Sequence, residues 1–149
     1  MRYLLLLIAA LPLFGAQSFE FKESRYYKAL DIKMDSYGTA TYDGNVTLIE
    51  YAKPIAKSIE ITKNSAYLTS EGTKTEIEHK SATAMLRFMN MLIKNDLAGA
   101  ERFFEIRDKI LTPKSNEVKK HIEKIELMNK NSFIIYLRNG DLIEFVKLK

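Results

Sequence analysis

The chain has 149 residues, of which 46% are hydrophobic and 28% charged, with a formal net charge of +4. This length suits one globular domain and is too short for two. The sequence contains no cysteine, which excludes disulfides, thiol catalysis and a lipid anchor on a cysteine. We expect no nucleic-acid binding, because the positive charge is spread along the chain and forms no basic stretch interleaved with aromatic residues.

Residues 1–16, MRYLLLLIAALPLFGA, have the pattern of a secretory signal peptide. An early cation, Arg2, precedes an apolar run from Leu4 to Phe14, and small residues follow. The run is roughly half of the ~20 apolar residues that a membrane-spanning helix needs. We therefore expect cleavage near Ala16 and a mature domain of residues 17–149. The expected location is a Gram-negative periplasm, where a small domain without disulfides survives more easily than in open medium.

The first half of the mature chain is predicted to be an antiparallel meander. Short runs rich in Ile, Tyr, Thr, Phe and Val alternate apolar and polar residues, as strands with one buried face do. The sequence DGN at residues 43–45 predicts a hairpin turn, and Pro54 predicts a connection or a sheet edge. Turn signals recur about every ten residues, which favours a meander over alternating strands and helices.

The middle of the chain, SATAMLRFMNMLIKND at residues 81–96, has helical spacing, with Ser81 as a candidate cap. Its polar residues Thr83, Arg87, Asn90 and Lys94 fall within an arc of roughly 60° at about 100° per residue. A surface helix needs an apolar stripe of only about 100° or somewhat more. Because this helix is apolar around most of its circumference, we expect other parts of the chain to wrap around it.

After the helix, NDLAGA is predicted to be a loop or short turn, and strands return. They are predicted at RFFEI, KILTP, HIEKIEL, SFIIYL and LIEFVKL. The pair Asn139-Gly140 between the last two is a strong hairpin signal. We predict the α+β class, with most of the chain in antiparallel strands and one apolar helix inserted midway.

Signatures of catalysis and metal binding are missing from the sequence. His79 and His121 lie in charged settings without partners at metal-ligand spacing, so we expect surface histidines and no metal site. The chain has no Gly-x-Ser-x-Gly elbow and no glycine-rich phosphate loop. We therefore expect a binding protein that uses no cofactor, and not an enzyme.

Methionine is prominent in the predicted helix, at Met85, Met89 and Met91. Methionine-rich surfaces accommodate flexible ligands of varied shape, and the alternative is that these residues fill a core. An antiparallel sheet that closes only partly leaves a concave apolar face, which a helix can cover as a lid. We predict such a half-open antiparallel β-barrel with a helical lid, and acyl chains held between lid and sheet. Strand alternation and helix face select the expected lipid contacts: Met34, Ile59, Ile61, Met85, Leu86, Met89 and Leu92.

The region from Phe19 to Leu68 resembles the amino-terminal half of LolA-like periplasmic lipoprotein carriers. It has a phenylalanine-led strand, a charged strand, a strand with SYG at residues 36–38, a hairpin, and an aromatic before a Lys-Pro turn in YAKP at residues 51–54. The sequence ILTPKSNEVKKHIEKIEL with NGDLIEFV looks like the family's second half, where a Leu-x-Pro-Lys element precedes the last hairpins. The similarity spans most of the mature chain and rests on the order of these pieces.

The resemblance implies a carrier of acylated lipoprotein or lipid cargo. Such carriers accept cargo from an inner-membrane exporter complex and deliver it across the periplasm to an outer-membrane acceptor. We expect a monomer with no nucleic-acid partner. The alternative is an exported adaptor with the same barrel that binds a protein partner and no lipid, its helix being part of the core.

Overall fold

The computed structural model describes residues 17–148, so the predicted signal peptide lies outside the described residues. Within this range eleven strands form one antiparallel sheet, and three helices interrupt them. The strands are β1 Gln17–Tyr27, β2 Ile32–Tyr42, β3 Thr47–Lys53, β4 Lys57–Ile61, β5 Ala66–Ser70, β6 Thr73–Glu76, β7 Phe104–Arg107, β8 Ile110–Pro113, β9 Ile122–Asn129, β10 Ser132–Leu137 and β11 Leu142–Lys147. The helices are α1 Lys80–Ile93, α2 Leu97–Ala100 and α3 Asn116–Lys119.

Two meanders make up the sheet, and the first and last strands join them. On one side of β1, strands β2 to β6 follow in chain order. On its other side the order is reversed, beginning with β11 beside β1 and ending with β7 at the edge. Phe21 of β1 lies opposite Gly38 of β2 and opposite Lys147 of β11. Strands β6 and β7 are the two edges, so the sheet is open within residues 17–148. The predicted antiparallel sheet with an inserted helix is confirmed.

Helix α1 contacts strands that are far apart in the sheet order. It contacts β4, and the ring of Phe88 packs edge-on against Phe104 of β7, with centroids 5.2 Å apart. Strands β4 and β7 are eight positions apart, which in a flat sheet would separate them by roughly 40 Å. A helix is only about 10 Å in diameter. The sheet therefore has to curve around α1, and the helix lies on its concave face.

The concave face carries the hydrophobic core. The rings of Phe21, Phe145 and Phe133, from β1, β11 and β10, stack in a row with centroids 4.9 and 5.3 Å apart. In β3 and β11 the buried residues alternate with more exposed ones, as the period of two predicts. The further buried residues of this core include Ile49, Ile61, Leu111, Ile125 and Ile135 from the strands and Phe88, Met89, Leu92 and Ile93 from α1.

Glycine and proline occupy the predicted turns. Gly44 in the β2–β3 turn and Gly140 in the β10–β11 turn have φ angles of 104° and 94°, which glycine adopts without steric cost. Pro54 lies in the connection between β3 and β4 and follows a cis peptide bond.

The predicted cap of the long helix is wrong. Helix α1 begins at Lys80 with His79 as its N-cap, and His79 makes no side-chain capping hydrogen bond. The segment predicted as a loop or short turn contains α2, where the Asp96 side chain accepts a hydrogen bond from the Gly99 amide at 3.0 Å.

Candidate functional site

Helix α1 is buried on one side, at Phe88, Met89, Leu92 and Ile93, and half-buried around most of the rest of its circumference. Among the α1 side chains that the structure describes, only Lys80 and Arg87 are exposed. Even the polar arc takes part in packing. Asn90 is half-buried and accepts a hydrogen bond from the hydroxyl of Thr47 on β3, which is fully buried. The helix is thus held by apolar contacts and by at least one part-buried polar contact.

Six of the seven predicted contact residues share one hydrophobic cluster between α1 and the sheet. Ile61, Met89 and Leu92 are buried, with exposed fractions of 3%, 1% and 6%. The other three members, Ile59, Met85 and Leu86, are half-buried and pack against this cluster.

The seventh residue, Met34, lies apart from the others. It is on the same face of β2 as the buried Ala40, because an even number of positions separates them. Nevertheless it is 46% exposed, opposite Arg25 of β1 and close to the β1–β2 turn, where Leu30 and Ile32 are exposed as well. The concave face therefore has a region covered by α1 and an uncovered apolar margin at the β1–β2 turn.

A buried carboxylate lies on the concave face beside this margin. Glu23 is only 4% exposed, and it accepts hydrogen bonds from the Tyr51 hydroxyl at 3.1 Å and from the Arg25 Nε at 3.4 Å. Burial, followed by the nearby charge of Glu23, raises the pKa of Tyr51 well above its usual range. The phenol therefore stays protonated and continues to donate to the carboxylate. This contact was not predicted from the sequence, although the position of Glu23, two residues after Phe21 on the inward face, was a signal for it.

The two segments that carry the family resemblance are partners in the sheet. Gly38 pairs with Tyr51, and Tyr37 pairs with Lys53, with a bulge between the two pairs. A Cβ atom at Gly38 would lie 2.0 Å from the backbone oxygen of Glu50, so only glycine fits there without displacement. The close pairing of β2 and β3 at this point depends on that glycine.

Apolar clefts flank both ends of α1. Near its start, a cleft of about 320 Å³ lies between the helix and the segment around α3. Near its end, a cleft of about 470 Å³ lies between the helix and the β9–β10 turn. Small-molecule sites usually measure about 300 to 1,000 Å³, so both clefts fall in the lower half of that range. The first is lined by apolar Met85, Phe88, Val118 and Ile122, and the second by Leu92, Leu97, Leu127 and Phe133.

The described residues offer neither a metal centre nor a bilayer-spanning helix. No three acidic or histidine side chains within residues 17–148 come together in a group that could hold a metal ion. None of the helices in that same range has the length and hydropathy to span a bilayer. His79 and His121 are both exposed, as expected for surface histidines.

Comparison with known proteins assigns no family. The sequence matches no protein-family model, and a search of curated proteins finds no match. The resemblance to LolA-like carriers thus stays a prediction.

Proposed function

We propose that the protein is a periplasmic carrier of acyl chains. In this proposal the open sheet acts as a half-open barrel, and α1 acts as its lid. The cargo is an acylated lipoprotein or a related lipid, taken from an inner-membrane exporter complex and delivered to an outer-membrane acceptor. The observation that supports the proposal is the position of α1, a helix with apolar side chains around most of its circumference, on the concave face of an open sheet.

The energetics of this arrangement suit reversible binding. When α1 moves outward, hydrocarbon chains replace side chains such as Met89 and Leu92 against the sheet, so one apolar contact is exchanged for another. Each buried methylene contributes about 0.8 kcal/mol, and the lost helix contacts offset much of that gain. The net affinity is then low enough for release. Methionine at positions 85, 89 and 91 suits chains of different length and saturation, since its side chain is unbranched and flexible.

A second candidate function is an exported adaptor that binds a protein partner. Close packing favours it, because a buried cluster separates the clefts of about 320 and 470 Å³ at the two ends of α1. Leu30, Ile32 and Met34 at or near the β1–β2 turn are 68%, 45% and 46% exposed, and exposed apolar patches are common at sites of protein–protein contact. In the adaptor, α1 stays in place during function.

A chemical tether on α1 separates the two functions. The Lys94 Nζ lies 6.0 Å from the centre of the Tyr42 ring on β2, and the chain has no cysteine of its own. A short bis-maleimide in the Tyr42→Cys, Lys94→Cys variant therefore links the end of the helix to the sheet. Binding of a fluorescent diacylated lipopeptide is then measured with and without the tether. The carrier requires binding to the untethered protein and a loss of about tenfold or more after tethering.

A matched tether controls for modification itself. Ser18 and Thr41 lie opposite each other on β1 and β2, their hydroxyl oxygens are 3.3 Å apart, and cross-linking them should leave α1 free. The Ser18→Cys, Thr41→Cys protein should bind lipopeptide equally well before and after cross-linking. Unchanged binding after tethering α1 would contradict the lid. No binding to any form, with no lipid found by mass spectrometry of the purified mature protein, would favour the adaptor.

A further inference from the structure

The larger cleft at the end of α1 combines an apolar lining with three lysines. Leu92 and Phe133 are buried, and Leu127 is half-buried; they form part of its apolar lining. Lys109, Lys130 and Lys147 also line it. We call this site the lysine cleft.

Backbone hydrogen bonds place the three lysines around the cleft. The carbonyl of Lys109, in the β7–β8 turn, accepts a hydrogen bond from the Leu127 amide at 2.7 Å. The Lys147 amide donates to the carbonyl of Asn131 at 2.7 Å, which holds the β9–β10 turn and its Lys130 against β11. Two turns and one strand end therefore converge here, and their positions do not depend on the lysine side chains.

Within residues 17–148, no acidic side chain forms an ion pair with a lysine of the cleft. No aspartate or glutamate is among the residues that line it. Lys109 and Lys130 make no ion pair or side-chain hydrogen bond with residues 17–148. The Lys147 Nζ donates to the carbonyl of Ile93 at 2.7 Å and lies 4.8 Å from the centre of the Phe19 ring. Burial lowers the pKa of Lys147, and an anion close by would oppose that effect.

We propose that the lysine cleft binds a fatty acid, with the carboxylate at Lys109 and Lys130 and the hydrocarbon chain along Leu92, Leu127 and Phe133. Cationic groups beside an apolar surface complement an amphiphile with an anionic head. The volume of about 470 Å³ lies within the ordinary range for small-molecule sites. The cleft is open with α1 in its observed position, so this inference goes beyond the carrier function and does not require the lid to move.

The test compares single-chain ligands that differ in charge. Laurate, 1-monolauroylglycerol and acetate are titrated by calorimetry into the mature protein, with the lipids below their micelle concentrations. The site requires laurate to bind tightest, the uncharged glycerol ester about tenfold more weakly, and acetate undetectably. The Lys109→Gln, Lys130→Gln variant should lose about tenfold in laurate affinity and keep its affinity for the glycerol ester. Both lysines are exposed, so this variant should fold normally.

A matched variant tests whether overall charge explains the result. Lys28→Gln, Lys33→Gln removes the same charge from exposed positions near the β1–β2 turn and should bind laurate like the wild type. An equal loss in both variants overturns the proposal, as does equal affinity for laurate and the glycerol ester. Laurate-induced NMR shifts should centre on Leu92, Leu127 and Phe133, and shifts centred elsewhere would also overturn it. The protein with α1 tethered should still bind laurate. Failure of the carrier proposal and failure of the lysine cleft proposal can therefore be distinguished.

Discussion

The hydroxyl of Tyr51 donates a hydrogen bond to the carboxylate of Glu23 across an intervening strand. The two residues belong to β3 and β1, with β2 between them, and the oxygen atoms are 3.1 Å apart. Gly38 of β2 lies opposite both Phe21 and Tyr51, and the rings of these two residues meet edge to face with centroids 5.4 Å apart. Because Gly38 on the middle strand has no side chain, Phe21 and Tyr51 can contact each other across it.

The first prediction concerns the hydroxyl of Tyr51. Tyr51→Phe keeps the ring contact with Phe21 but removes a donor to the buried Glu23, and an unsatisfied buried acceptor costs about 1–3 kcal/mol. The free energy of unfolding at neutral pH should fall by that amount in urea denaturation. Tyr136→Phe removes a comparable bond to Glu126 at a more exposed position and should cost less. Equal losses would show that burial of Glu23 does not matter.

The second prediction is that Tyr51 destabilises the fold at alkaline pH. Its pKa in the folded protein is raised, chiefly by burial, whereas in the unfolded chain it lies near 10. Below about pH 10 the phenol is protonated in both states, so its contribution to stability is fully present. Above that pH the unfolded state loses the proton first, so the free energy of unfolding declines as pH rises. The decline should be shallower in Tyr51→Phe, and identical slopes in the two proteins would contradict the assignment.

The third prediction concerns Gly38. In Gly38→Ala the new methyl group would lie 2.0 Å from the Glu50 carbonyl oxygen, so β2 and β3 have to separate. We expect the free energy of unfolding, measured by thermal or chemical denaturation, to fall by about 1–3 kcal/mol, as at other overpacked sites. Gly44→Ala is the control, since its Cβ meets no atom within 4 Å and only the φ angle of 104° is unfavourable. A smaller loss at Gly38 than at Gly44 would contradict the steric argument.

The strands and turns could be predicted from the sequence because their signals are local. Period-two alternation marks strands such as β3 and β11, and Gly44, Pro54 and Gly140 mark connections that the structure confirms. The pairing of β1 with β11 could not be predicted, since it places Phe21 opposite Lys147 and alternation carries no information about a distant partner. That pairing turns two separate meanders into one curved sheet.

The candidate site could be predicted only where it depends on the helix face and on strand alternation. Those rules grouped Met89, Leu92 and Ile61 correctly in one cluster. They also put Met34 on the concave side, but the extent of cover by α1 depends on tertiary packing, which leaves Met34 exposed. The lysine cleft had no sequence signal at all, because its cations come from two turns and a strand end that are far apart in the chain.

The fourth prediction tests the packing of α1 through Met89. Met89 is 1% exposed, so Met89→Ala leaves a cavity between the helix and the sheet and should cost about 2–5 kcal/mol. Met128→Ala, at a position 46% exposed, should change the free energy of unfolding by no more than about 0.5 kcal/mol. Comparable effects would mean that Met89 is not enclosed.

The last prediction concerns the hydrogen bond from Thr47 to Asn90, a part-buried polar contact between α1 and β3. Thr47→Val keeps the shape but removes the donor, leaving the Asn90 oxygen without its partner at a cost of about 1–3 kcal/mol. Adding Asn90→Leu removes both polar groups and should recover much of that loss, because neither is then buried unsatisfied. Urea unfolding of the single and double variants measures the coupling free energy between Thr47 and Asn90.

The same substitution distinguishes local opening of α1 from unfolding of the whole domain. If α1 is a lid, Thr47→Val should speed hydrogen exchange of α1 amides more than that of β10, an inner strand of the second meander. Lipopeptide should also associate faster, since a larger fraction of molecules has the helix displaced. Equal acceleration in α1 and β10 would mean that the bond stabilises the fold as a unit. The lid would then lack an opening step of its own, and the adaptor would be the better account of the molecule.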